Sequence, residues 1–216
     1  MPPTQRPLAS SLAPRNLQSI QRGTLRYTWK GVPCVKNPFD FALYPLLVWQ
    51  VKPGTIIEIG SNAGGSALWL ADLLRLSGLS GTVVSVDIVE VKDVRDPRVR
   101  FLRGDANNLA ATLSNAVLAQ LPRPWLVVED SSHQYATCLS VMRFFDPLLK
   151  PGEYLVIEDG IVDDLGMQQQ FDGGPNRAIR KFLEECGGRF LVDVGLCDFF
   201  GHNVTWNTNG YLRKVK

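Results

Sequence analysis

Two acidic pairs, Glu129-Asp130 and Glu158-Asp159, each close a short apolar run, and His133 follows the first pair by three residues. If those runs are neighbouring strands, their ends lie about 5 Å apart. Asp130, Glu158 and Asp159 then crowd one small volume. Like charges that close are unfavourable unless a cation neutralises them or their pKa values rise. All-oxygen donors suit Mg²⁺, Ca²⁺ or Mn²⁺ better than zinc. His133 is one of two histidines in the chain. Its ring can be neutral near pH 7 and accept a proton. The simpler readings are loop or helix caps for the two aspartates and a polar surface residue for the histidine.

A second constellation lies upstream. Glu58-Ile59-Gly60-Ser61-Asn62-Ala63-Gly64-Gly65-Ser66 follows an apolar run and opens a helical pattern. Glycines there permit a tight turn and close backbone approach to a ligand. The spacing is G-x-x-x-G-G, not the dinucleotide fingerprint, and no Gly-Lys-Ser/Thr follows to make a P-loop. Glu58 places negative charge beside the loop, which opposes a pyrophosphate and suits a cationic nucleoside. S-adenosylmethionine, with an ammonium and a sulfonium, is such a ligand. Asp87 ends the next apolar run and is placed to accept from both ribose hydroxyls. Gly104-Asp105-Ala106 ends the third and could meet the adenine edge. The expected nucleoside contacts are Glu58, Gly60, Ser61, Asn62, Gly64, Asp87, Asp105 and Ala106. The bland alternative is a tight strand–helix turn.

These residues need strands to hold them. Strands are expected at Thr55–Ile59, Thr82–Val86, Val99–Leu102, Trp125–Val128 and Tyr154–Ile157, each an apolar run ended by polar residues or glycine. Helical patterns fall at Asp40–Gln50, Ser66–Leu76, within Ala110–Leu121, at Thr137–Leu149 and at Asn176–Glu185. Residues 160–174 show no periodicity and read as a mobile loop. Arg189–Val194 and Val204–Val215 read as two last strands, joined by a short loop as an antiparallel edge hairpin. The alternation implies an α/β fold: a mostly parallel seven-stranded sheet with helices on both faces.

Composition sets outer limits. The chain has 216 residues, 45% hydrophobic and 20% charged, with formal net charge +2. That fits one globular domain, expected over 24–216. No apolar run reaches the roughly 18 residues of a membrane span, and nothing global argues for a nucleic-acid partner. Residues 1–39 carry Arg6, Arg15, Arg22, Arg26, Lys30 and Lys36 and no acid. Within them, 1–23 reads as a flexible basic arm, with a transit peptide as the alternative. The four cysteines form no C-x-x-C pair, and they read as reduced thiols of a cytoplasmic protein.

The pieces IIEIGSNAGGSALWLADLL (56–74), VVSVDI (83–88), RFLRGDANN (100–108), VVEDSSH (127–133), LLKPGEYLVIEDG (148–160), GPNRAIRKFL (174–183) and NGYLRK (209–214) together resemble the cephalosporin hydroxylase and rhamnosyl O-methyltransferase family, which includes macrolide-sugar O-methyltransferases. The resemblance covers roughly residues 30–214. It implies a Rossmann-like methyltransferase fold with S-adenosylmethionine as donor. It also implies Mg²⁺ held by Asp130, Glu158 and Asp159, and His133 as general base. The implied acceptor is a hydroxyl of a sugar or other small molecule, and the implied assembly is a homo-oligomer. Catechol-type methyltransferases share the metal arrangement but carry lysine in place of His133. A catechol or phenol acceptor and a non-catalytic nucleoside-binding subunit are the rival expectations.

Overall fold

The computed structural model describes residues 6–216. The chain opens with helix α1 (Pro14–Thr24), a small ladder of β1 (Thr28–Trp29) and β2 (Val32–Pro33), and helix α2 (Pro38–Val51). Then come β3 (Thr55–Ile59), α3 (Gly65–Leu76), β4 (Thr82–Asp87) and β5 (Val99–Arg103). Two single-turn helices, α4 (Leu109–Thr112) and α5 (Asn115–Leu118), precede β6 (Trp125–Glu129), α6 (Tyr135–Phe145) and β7 (Tyr154–Ile157). The chain closes with α7 (Gly174–Glu185), β8 (Phe190–Val192), α8 (Val194–Cys197) and β9 (Tyr211–Lys214).

Seven strands form one sheet in the order β5-β4-β3-β6-β7-β9-β8. Its first five strands pair in parallel, and β9 runs antiparallel to both its neighbours. The expected α/β architecture is therefore present. Central strands β3, β6 and β7 are buried along their whole length, because helices cover both faces. Period-two alternation divides their side chains. Ile57, Ile59, Val127 and Ile157 pack with Met142, Phe145 and Phe182 of α6 and α7. Ile56, Val128 and Val156 pack with Leu43, Tyr44 and Trp69 of α2 and α3.

The expected antiparallel pairing of the last two strands forms at the sheet edge, β8 against β9, but the short loop expected between them is replaced by a long connection. β9 is inserted between β7 and β8, and residues 193–210 separate it from β8. Residues 203–210 do not extend the strand. Asn203 and Asn209 take φ of 50° and 54°, in the left-handed region that breaks extended backbone. Asn203, Thr205, Asn207, Thr208 and Asn209 are nonetheless buried, held by side-chain hydrogen bonds. The helix expected within Ala110–Leu121 is split into α4 and α5, where Ser114 caps the second turn through Val117 N. In 160–174, two 3₁₀ turns form, Gly160–Val162 and Gln168–Phe171. The first of them is buried.

Of the expected arm, residues 1–5 lie outside the described residues. From Arg6 onward the chain is docked. Leu17 of α1 is buried against Ile161 and Trp206. Asn203 Nδ2 donates to the carbonyls of Pro7 and Leu8, both at 3.1 Å. Trp206 Nε1 donates to Gln21 Oε1 at 2.7 Å. No helix among the described residues is long and apolar enough to cross a membrane.

Candidate active site

The strand register aligns the expected site residues at one edge of the sheet. Ile59 faces Val86 on one side and Glu129 on the other, and Glu129 faces Ile157. Backbone bonds extend this alignment past the strand ends: Gly60 N to Val86 O, Asp130 N to Ile59 O, and Glu158 N to Glu129 O, at 2.8–2.9 Å. Gly60 has φ of 105°, and a Cβ there would overlap the Asp130 carbonyl. Only glycine lets the β3 turn pass this close to the β6 turn.

A cavity of about 580 Å³ opens above these ends, with Gly60, Asn62, Asp87, Asp105 and Ala106 in its wall. Asp130, His133 and Asp159 line it too. The nucleoside candidates and the acidic cluster thus share one cavity. Glu58, Ser61 and Gly64 do not line it. Ser61 is buried and shares a hydrogen bond with Ser85 Oγ at 2.6 Å. Glu58 alternates with Ile57 and Ile59, so it points to the α2–α3 face and lies fully buried beneath the loop. Its Oε2 accepts from Ser85 Oγ, while Oε1 is buried with no hydrogen-bond partner. Burial raises the Glu58 carboxyl above its usual range, against the opposing pull of Lys36 and the serine hydroxyls. An orphaned acidic oxygen at this depth fits a nearby cationic group.

Asp87 does more than face the cavity. Its Oδ2 accepts from the backbone of Ser61 and Asn62 at 2.8 and 2.9 Å, and its Oδ1 accepts from Val89 N at 2.9 Å. The carboxylate therefore fixes the glycine loop that forms the wall. Asp105 likewise accepts from Asn107 N at 2.8 Å, capping the turn after β5. Asp87→Ala is expected to weaken nucleoside binding by about 1.5–3 kcal/mol, the range for hydrogen bonds to a charged group. Calorimetry with S-adenosylhomocysteine measures this, and unchanged affinity would remove Asp87 from the site.

Asp130, His133 and Asp159 each offer one atom, and the three atoms lie within 4.8 Å of one another. His133 Nε2 stands 3.3 Å from Asp159 Oδ2. His133 and Asp159 both adopt left-handed backbone, with φ of 56° and 59°. Such conformations cost roughly 1–3 kcal/mol each and collect where a site needs them. His133 lies in the turn before α6, not in the helix, and its ring meets the edge of Phe171 at 5.7 Å. Its Nδ1 is buried without a partner, so Nε2 is the nitrogen that faces the cavity.

Glu158, expected in the same cluster, is held to one side. It alternates with Ile157, so it points toward α2. There Tyr44 Oη donates to its Oε1 and Lys36 Nζ to its Oε2. Lys36 Nζ also donates to Asp130 Oδ2. Lys36 and Tyr44 are site residues that the sequence patterns did not reveal. Burial, with Asp130 nearby, pushes the Glu158 carboxyl up to about 7 despite Lys36 and Tyr44. Burial also raises Asp130 and Asp159, opposed by Lys36 at the first and by His133 at the second. Burial disfavours the His133 imidazolium, but Asp159, Asp130, Glu129 and Glu158 outweigh it and raise the ring above its ordinary value. Crowded, desolvated carboxylates of this kind are stabilised by added positive charge. Hard oxygens with an adjacent imidazole fit a small divalent cation. His202 is elsewhere, beside Arg6 and Asp198 at 3.3 and 3.5 Å.

A mostly parallel sheet with a ligand-sized cavity and a carboxylate cluster at its carboxyl edge defines a Rossmann-like protein that binds its ligands there. The profile of the family Rhamnosyl O-methyltransferase/CmcI matches residues 21–215. A rhamnosyl O-methyltransferase of Mycobacterium leprae is 33% identical over 190 residues, covering 86% of this chain and 82% of the relative. One from Mycobacterium tuberculosis is 28% identical over 192 residues, covering 86% and 77%. A solved apo structure of CmcI superposes with TM-score 0.70 at 22% identity, covering 89% of this chain and 77% of that one. The chain belongs to the rhamnosyl O-methyltransferase/CmcI family and is an O-methyltransferase.

Proposed function

We propose that this chain methylates a hydroxyl of a rhamnosyl-type sugar, using S-adenosylmethionine and Mg²⁺. The observation that carries this reading is the single cavity shared by Asp87, Asp105 and the Asp130–His133–Asp159 cluster. The relatives' sugar acceptor supports the choice of substrate.

When bound, the donor supplies an electrophilic methyl group, and the divalent ion supplies Lewis acidity that lowers a hydroxyl pKa. The chain does the rest. Asp87 fixes the loop Gly60–Asn62 and offers its carboxylate to the ribose. Asp105 and Ala106, in the cavity wall, would border the base. Glu58 supports the loop from beneath through Ser85, and its unpartnered Oε1 would favour the donor's ammonium end. Asp130, Glu158 and Asp159 would hold the cation. His133 takes the acceptor's proton on Nε2, and Asp159 stabilises the resulting imidazolium at 3.3 Å. Leu25 and Val35 add apolar wall to the cavity. Aligning donor and acceptor can itself contribute about 7–11 kcal/mol in the ideal case.

The test is incubation of the purified protein with labelled methyl donor, Mg²⁺ and a rhamnosyl glycoside. The expected result is one methyl gained by the sugar and one equivalent of S-adenosylhomocysteine. Turnover of a catechol with none of the glycoside would reassign the acceptor, and no turnover of either would favour a binding subunit. We further propose a cytoplasmic homo-oligomer. Its four cysteines are unpaired, as a reducing compartment leaves them. Leu46 and Trp49 stand exposed one turn apart on α2, as an interface requires. The mass of a single chain in solution would exclude the oligomer.

A further inference from the structure

Among the described residues, Lys36 is the lysine or arginine that pairs with the carboxylates at the ends of β6 and β7. Its side chain is only 2% exposed. The backbone on either side is fixed. Lys36 N donates to Cys34 O at 2.8 Å, Cys34 is buried, and Asn37 caps α2 through Phe39 and Asp40. The segment thus delivers one ammonium to one place, between Asp130 Oδ2 and Glu158 Oε2. Tyr44 occupies the other oxygen of Glu158. A cation that draws on Glu158 must therefore take an oxygen that Lys36 or Tyr44 holds.

We propose that Lys36 is a built-in competitor of the divalent cation, which must displace its ammonium from Asp130 and Glu158 to engage both carboxylates. The proposal rests on the metal-dependent reading above. Its physical basis is mutual exclusion. An ammonium and a divalent ion on the same two oxygens repel each other in a buried site where charges are weakly screened. Competition of this kind is reciprocal: whatever Lys36 subtracts from ion affinity, the ion subtracts from the hold on Lys36.

Two measurements test this. Calorimetric titration with Mg²⁺ compares the native protein with Lys36→Met, which keeps the bulk of the side chain and removes the charge. The variant is expected to bind Mg²⁺ about tenfold more tightly, within the roughly 5–150-fold range of site coupling. Equal or weaker binding by a folded variant overturns the competition and leaves the metal site standing. No Mg²⁺ binding by either protein overturns both. The second measurement uses the native chain alone, in case the variant does not fold. Acylation of Lys36 by acetic anhydride, followed by mass spectrometry, is expected to speed up when Mg²⁺ is added. Lys92, with 72% of its side chain exposed, serves as the internal reference. A Lys36 rate unchanged at Mg²⁺ concentrations that calorimetry shows to be saturating overturns the proposal.

Discussion

Excess chelator is expected to abolish methyl transfer, and added Mg²⁺ to restore it. The expectation comes from the electrostatics of the cluster. Burial raises Asp130, Glu158 and Asp159 together, Glu158 to about 7. Lys36 supplies one positive charge against these three acids. A divalent ion in place of that ammonium would bring more positive charge to the same carboxylates and would polarise an acceptor hydroxyl. Such polarisation is worth several kcal/mol. At 1.36 kcal/mol per tenfold in rate, its loss lowers turnover by about 10² or more. The raised carboxyls add a signature in pH. Protons and the ion compete for the same oxygens, and a raised pKa extends that competition toward neutrality. The Mg²⁺ concentration for half-maximal rate should therefore fall as pH rises through about 7. Full turnover in excess chelator would end the metal reading, and a half-maximal concentration independent of pH would remove these carboxylates from the metal.

The sheet was legible because its central strands are fully buried. Thr55–Ile59, Trp125–Glu129 and Tyr154–Ile157 are apolar runs with polar residues or glycine at their ends, and those ends are where a parallel sheet gathers its ligands. That rule put Asp87, Asp105, Asp130 and Asp159 at strand ends, and the fold brings those ends to one cavity. The same runs also held information about direction. Period-two alternation puts Glu58 and Glu158 on the α2–α3 face, opposite Ile57 and Ile157. Glu58 accordingly lies under the glycine loop, and Glu158 turns to Tyr44 and Lys36. Lys36 was not legible. It sits 94 and 122 residues from its partners, in a segment without acids, so nothing local marks it as paired. The C-terminal edge pairing was legible, but the start expected for its last strand was not. Residues 203–210 are buried without being regular, and asparagine and threonine side chains supply the hydrogen bonds that strand pairing would have supplied. Apolar residues such as Val204 and Trp206 mimic a strand there, while the asparagines in left-handed backbone break it.

His133→Ala is expected to lower kcat by about 10²–10⁴, the usual contribution of a positioned general base. Donor affinity should stay near normal, because the ring lies at the cluster and not at Asp87 or Asp105. Geometry supports the role: Nε2 faces Asp159 at 3.3 Å, Nδ1 is buried, and Phe171 packs against the ring. The protonation chemistry gives a second readout. Only the neutral imidazole accepts a proton, so the native rate should rise with pH through the ring's pKa. Four surrounding carboxylates hold that pKa above its ordinary value against the effect of burial. Added Mg²⁺ neutralises part of that negative charge, so the midpoint of the rate profile should move to lower pH as the ion saturates. The alanine variant should lose this rise. His202 is the control. It sits beside Arg6 and Asp198, outside the cavity wall, and His202→Ala should retain most of the native kcat. An inactive His202 variant beside a nearly normal His133 variant would transfer the base to the other histidine, and the geometry described around Asp159 would then have to serve only cation binding.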